Sequence, residues 1–132
     1  MNNCLVSTTP EKPTLKPLEW VGSSRADLKR FPEPVQKEIG HALHLVQAGE
    51  TPSQAKALRG FGRAGVLEIV ESHDKNAYRA VYTVKFSDAV FVLHAFQKKS
   101  KKGIATPKPE TDLVKQRLRT TAEHYERHYR SR

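Results

Sequence analysis

YRAVYTVKFSDAVFVLHAFQKKSKKG, residues Tyr78 to Gly103, reads as two β-strands joined by a tight turn and followed at once by a lysine cluster. β-Branched and aromatic residues crowd Tyr78–Phe86 and Val90–Phe96, and Ser87 with Asp88 between them suits a turn. Successive strand residues point to opposite faces. Tyr78, Ala80, Tyr82, Val84 and Phe86 therefore share one face, apolar enough to be the side packed on helices. Arg79, Val81, Thr83 and Lys85 share the other. In the second strand His94 shares its face with Val90, Val92 and Phe96, the setting of a core histidine. A sheet that carries Arg79 and ends in Lys98, Lys99, Lys101 and Lys102 is a preorganised place to hold a phosphate.

Working outward, Val66–Ser72 is a third strand, linked to Tyr78 by the turn-forming residues HDKN. Adjacent strands with links this short must be antiparallel. On the N-terminal side, residues 50–65 read as a loop, with Gly60, Gly62 and Gly65 near its end. Before it, Val35, Ile39, Ala42, Leu43 and Val46 repeat at helical spacing, with Pro34 suited to the first turn and Gly49 to the stop. A shorter helix precedes it, capped by Ser23 or Ser24 and carrying Leu28 and Phe31. Leu18–Val21 has the composition of a short edge strand. On the C-terminal side, Val114, Leu118, Thr121/Ala122, Tyr125 and Tyr129 mark a closing helix from Pro109 onward. The expected architecture is α+β: an N-terminal helix hairpin, an antiparallel β-meander of three to four strands, and a C-terminal helix.

Bulk properties narrow the class. The 132 residues suit one domain with a substantial core. Residues 1–16, with Pro10 and Pro13 and no apolar period, form a flexible tail, and residues 17–132 form the domain. No apolar run is long enough to span a membrane. The N-terminus lacks the basic and apolar regions of a secretory signal, and Cys4 is the only cysteine, so the cytoplasm is the expected compartment. The net charge of +9 is unevenly placed. Residues 1–60 hold 8 Lys/Arg against 6 Asp/Glu, and residues 61–132 hold 15 against 8. Such asymmetry favours a polyanionic partner, nucleic acid being the commonest.

Among groups able to do chemistry, His94 and His73 are best placed for proton transfer, since imidazole titrates near neutral pH. Arg79 offers a planar fork of donors to a phosphate, although Glu68 or Glu71 on the neighbouring strand would pair with it in a purely structural role. His41 with His44, and His124 with His128, have helical spacing but no cysteine or HExxH beside them, so no metal site is expected. There is no phosphate-binding glycine loop, dinucleotide fingerprint or nucleophile elbow.

In order along the chain, Leu58-Arg59-Gly60, Val66-Leu67-Glu68-Ile69, Tyr78-Arg79-Ala80-Val81-Tyr82, and His94-Ala95-Phe96-Gln97-Lys98-Lys99 with Pro107 before the last helix form a pattern. It resembles the RelE/HigB-like toxins of bacterial type II toxin–antitoxin modules, and most of all the phage-derived proteins of that superfamily, over residues 18–125. The resemblance implies a small RelE-like α+β domain that cleaves mRNA, usually on the ribosome. It implies no cofactor or metal, and silencing by a cognate antitoxin, commonly a helix-turn-helix DNA-binding protein. In such toxins the RNA's own 2′-hydroxyl attacks the adjacent phosphate, so the protein positions it, moves protons and neutralises charge. Carried over by position, Arg79 stabilises the phosphoryl transition state. Lys98 and Lys99 hold the backbone or assist proton transfer. Lys85, Lys101, Lys102 and Phe96 contact RNA, Phe96 by stacking on or packing beneath a base.

This chain departs from the pattern at Val70, where the family carries an arginine. The general base is left open among His94, His73 and Glu68. Two other readings accompany the resemblance: a ParE-like inhibitor of DNA gyrase, and a non-catalytic phage-derived remnant that binds antitoxin.

Overall fold

A computed structural model of the chain describes residues 15–61, 65–86, 88–98 and 106–127. Along these the order is β1 (Leu18–Trp20), α1 (Ser24–Leu28), α2 (Glu33–Gln47), β2 (Ala55–Ala57), β3 (Val66–His73), β4 (Asn76–Thr83), β5 (Val90–Lys98) and α3 (Lys108–Tyr125). The five strands make one mixed sheet in the order β1-β5-β4-β3-β2.

The α+β class and the antiparallel β3–β4–β5 meander are as expected. Asp74 and Lys75 take φ of 53° and 70° between His73 and Asn76, the left-handed conformation that a two-residue hairpin turn requires. Four features differ from the expectation. First, α1 has only five residues and does not lie along α2 as a hairpin partner. Pro32 and Pro34 interrupt the chain after it, and it rests on β5, where the buried Ser24 hydroxyl donates to the Val92 carbonyl at 3.1 Å. Second, Ala55–Ala57, in the expected loop, is an edge strand antiparallel to β3. Three residues are too few to show a period.

Third, β1 runs parallel to β5, so the sheet is mixed. Helices α1 and α2 and strands β2, β3 and β4 lie between the two in sequence, long enough for such a crossover. Fourth, β4 stops at Thr83 and β5 runs on to Lys98, so Lys85 lies past its strand and Lys98 within its own. The expected turn residue Ser87 falls outside the described residues.

Both faces of the sheet are covered. Ile39, Leu43 and Val46 of α2 pack with Ile69, Tyr78, Ala80, Tyr82, Val90, Val92 and Ala95. Burial pushes the Tyr82 hydroxyl up to about 12, so it remains neutral at physiological pH. Against the other face, α3 seals a second core of Val66, Val81, Phe91, Leu93, Phe96 and Val114. Arg79, Val81 and Thr83, expected on a free face, are therefore buried.

A β-bulge in β5 connects fold to site. Val81 lies opposite His94, but Tyr82 lies opposite Val92, which leaves Leu93 as an extra residue. The bulge reverses the alternation. His94 faces α3 with Leu93 and Phe96, and not with Val90 and Val92 as strict alternation predicts. Arg117 of α3 donates from Nη1 to the Leu93 carbonyl at 2.9 Å and from Nη2 to Ser23 Oγ at 3.2 Å. Its guanidinium lies against Gly22, at φ +58°, where an added Cβ would come within 2.8 Å. Arg117→Ala should therefore cost about 1.5 kcal/mol, the scale of a hydrogen bond with one charged partner. Urea melts would measure it, and a loss below about 0.5 kcal/mol, the usual range for surface substitutions, would show that the bulge holds without Arg117.

Candidate functional site

Of the expected site residues, Glu68, Arg79, His94, Phe96 and Lys98 meet on the α3 side of the sheet, toward the C-terminal end of β5. Backbone register builds the arrangement. Lys56, Glu68, Val81 and His94 lie opposite one another across β2, β3, β4 and β5. One row farther along, Val70, Arg79 and Phe96 are opposite one another. Glu68, Arg79 and His94 are thus successive diagonal neighbours on one face, a spacing that long side chains bridge. Lys98 closes the row beyond, opposite Ala77.

Arg79 donates from Nη1 to both oxygens of Glu68, each at 3.2 Å. The pair is 5% and 4% exposed, respectively. Thr106 Oγ1, just before α3, donates to Glu68 Oε1 at 3.0 Å. Lys56 Nζ, half exposed, stands 4.0 Å from Oε2. Glu68 therefore gathers an arginine, a hydroxyl and an ammonium, and these protein groups compensate its charge. Two charges so deeply buried cost several kcal/mol each in lost hydration, so the pair persists only because both are matched.

Beside it, His94 Nε2 lies 2.5 Å from Glu110 Oε1. Glu110 sits in the first turn of α3, where a carboxylate also suits the helix dipole. The Phe96 ring stacks on the imidazole, centroids 5.0 Å apart and planes at 26°. His94 is buried, and its Nδ1 has no hydrogen-bond partner among the described residues.

Other expected members lie elsewhere. Lys85 is exposed near the opposite end of β4, its ammonium 5.7 Å from the Phe86 ring. His73 ends β3 beside Tyr78, which belongs to the α2-side core, so it stands apart from the cluster as a base. Lys99, Lys101 and Lys102 lie outside the described residues. His124 approaches Glu19 at 3.9 Å near β1, and His41 is exposed on α2. Among the described residues no group of three or more His, Cys, Asp or Glu is placed to hold a metal ion. No described helix is long and apolar enough to cross a membrane.

Three participants were not legible in the sequence: Lys56, Thr106 and Glu110. Lys56 lies on the short β2, which shows no period. Thr106 and Glu110 flank Pro107, the N-cap of α3. A carboxylate three residues after a helix-starting proline is an ordinary capping signal, and only the tertiary fold sets it beside His94.

The chain is thus a RelE-like α+β protein with a buried acid–base cluster at one end of its sheet. It belongs to the family described as Phage derived protein Gp49-like (DUF891), whose profile matches residues 26–119. Its fold is similar to that of the Escherichia coli toxin RelE, solved free as a double arginine-to-alanine variant. The identity is 14% over 80% of this chain and 97% of that one, with a TM-score of 0.51. The toxin–antitoxin complex RelBE from Mycobacterium tuberculosis matches at 17% identity over 69% of this chain and 100% of that one, with a TM-score of 0.45. No curated protein matches the chain.

Proposed function

We propose that the chain is the toxin of a type II toxin–antitoxin module, residues 17–132 forming the toxin unit, and that it cleaves ribosome-bound mRNA without a metal. Translation then stops in the cytoplasm until a cognate antitoxin of the helix-turn-helix kind neutralises the protein. The observation that carries this reading is the cluster of Glu68, Arg79 and His94 on the α3 face, built on a RelE-like fold. Phosphodiester cleavage by a neighbouring 2′-hydroxyl needs a proton acceptor, a cation at the phosphorus and a hold on the backbone. His94 supplies the first. Glu68 is the weaker candidate base because its oxygens are already taken by Arg79 and Thr106. Arg79 supplies the second, exchanging Glu68 for the phosphate. Lys98 and Lys99, with Lys101, Lys102 and Phe96, supply the third, and the excess positive charge makes RNA binding weaken with salt.

One observation favours a second reading. Arg79 is buried against Glu68 and not presented to solvent, as expected of a structural pair in a phage-derived remnant that binds antitoxin without cleaving. Induction of the chain without a partner separates the readings. The toxin reading expects growth arrest, rapid loss of pulse-labelled protein synthesis, and new mRNA 5′ ends by primer extension. Induced DNA damage with translation intact would point instead to gyrase. Normal growth with soluble, folded protein would leave the remnant.

A further inference from the structure

His94 is not built like a histidine that merely fills a core. The bulge at Leu93 turns it toward α3, Phe96 stacks on its ring, and Glu110 Oε1 lies 2.5 Å from Nε2. An ionised carboxylate only accepts hydrogen bonds, so Nε2 carries the hydrogen in this contact. Neutral imidazole has one such hydrogen, which leaves the lone pair on Nδ1. That nitrogen is buried and has no hydrogen-bond partner among the described residues. Buried polar atoms are nearly always satisfied, and an exception asks for an explanation. The other charged groups on this face are Arg79 and Glu68, paired with each other, and Lys56 and Lys98 at the margins.

We propose that Glu110 is a positioning residue that fixes His94 as its Nε2–H tautomer, so that Nδ1 takes the proton from the attacking 2′-hydroxyl. The inference rests on the endoribonuclease reading above. In this step the 2′-O–H bond breaks, its electron pair stays on oxygen, and the proton passes to Nδ1. The 2′-oxygen bonds to the adjacent phosphorus while the P–O5′ bond breaks, giving a 2′,3′-cyclic phosphate. The departing 5′-oxygen takes a proton from water, and His94 later returns its own to solvent. Glu110 does not touch the RNA. It holds the ring's orientation and faces the imidazolium that forms, as a carboxylate does behind a catalytic histidine. Its place in the first turn of α3 means that docking of the helix sets the tautomer.

The test pairs two measurements on the full-length protein. Nitrogen-15 NMR of the histidine rings reads the tautomer, and single-turnover cleavage of RNA reads the chemistry. The wild type should show His94 protonated on Nε2, and Glu110→Ala should lose that preference. Cleavage by Glu110→Ala should fall by about 10²-fold at saturating RNA, the lower end of what general-base help supplies, with half-saturation unchanged. Glu110→Asp should recover part of the rate. Glu110→Gln keeps the size and an acceptor oxygen but not the charge, so it should keep the tautomer and lose rate. Thermal melts of each variant identify any that fail to fold, and the comparison is read on those that do. An active wild type with His94 protonated on Nδ1, or a folded Glu110→Ala protein cleaving at full rate, overturns the dyad alone. A wild type that cleaves no RNA overturns the endoribonuclease reading and the dyad's role with it.

Discussion

Arg79→Ala is expected to destabilise the protein by about 3–5 kcal/mol, the cost of leaving one member of a buried ion pair without the other. Glu68 would keep Thr106 as a donor and Lys56 at 4.0 Å, but neither replaces a guanidinium that meets both carboxylate oxygens. Small domains are stable by only about 5–15 kcal/mol, so much of the population would unfold on warming. An open sheet face, which alternation alone predicts for Arg79, would have tolerated the change at little cost. Loss of cleavage in this variant therefore says little about chemistry. The double substitution Arg79→Met with Glu68→Leu removes both charges and fills similar volume, which should restore most of the stability. Its cleavage should stay down by about 10²-fold or more, the scale for losing one preorganised donor to a developing charge. Arg79→Lys keeps the charge without the fork and should recover activity only in part. Urea melts beside primer extension make the comparison. A stable double variant cleaving at the wild-type rate would remove Arg79 and Glu68 from the mechanism and leave them a structural pair.

The difference between the two outcomes shows what the sequence could reveal and what it could not. The meander was legible because β-branched and aromatic runs flank short polar turns, and α2 was legible because its apolar stripe has a helical period. Both signals are local. Burial of the Arg79 face was not, because it depends on where α3 docks, about thirty residues later in the chain. The facing of His94 was missed for a different reason. A bulge adds one residue without any mark in composition, and every side chain beyond it changes face relative to strict alternation. A carboxylate partner for Arg79 on the adjacent strand was legible, with Glu68 and Glu71 both candidates, since a sheet brings such pairs together by register; the choice of Glu68 was not. Glu110 was not, since its proximity to His94 joins a strand to a helix across the second core. Of the two short strands, β1 was legible from the composition of Leu18–Val21 although its parallel pairing was not, whereas β2 was missed because three residues are fewer than two full periods of alternation.

Val114→Asp tests that second core and should have the largest effect on the fold. Val114 is fully buried, on the α3 stripe that carries Glu110 one turn before it and Arg117 about one turn after it. It shares a core with Val81, Phe91, Leu93 and Phe96, none of which can satisfy a carboxylate. A buried unpaired charge costs several kcal/mol even after relaxation, more than most single substitutions. The helix should relieve that cost by lifting from the sheet, which withdraws Glu110 from His94 and Arg117 from the Leu93 carbonyl together. The expected result is a much lower melting temperature, weakened near-ultraviolet dichroism and no measurable RNA cleavage. Val114→Ala should be milder, costing about 1–2.5 kcal/mol for the lost methyl groups and the cavity. Lys115→Asp, one residue on and exposed, should change stability by about 0.5 kcal/mol or less. If Val114→Asp instead melted with the wild type, α3 would not seal this face. Arg79 and His94 would then stand open to solvent, as strand alternation alone predicts for Arg79.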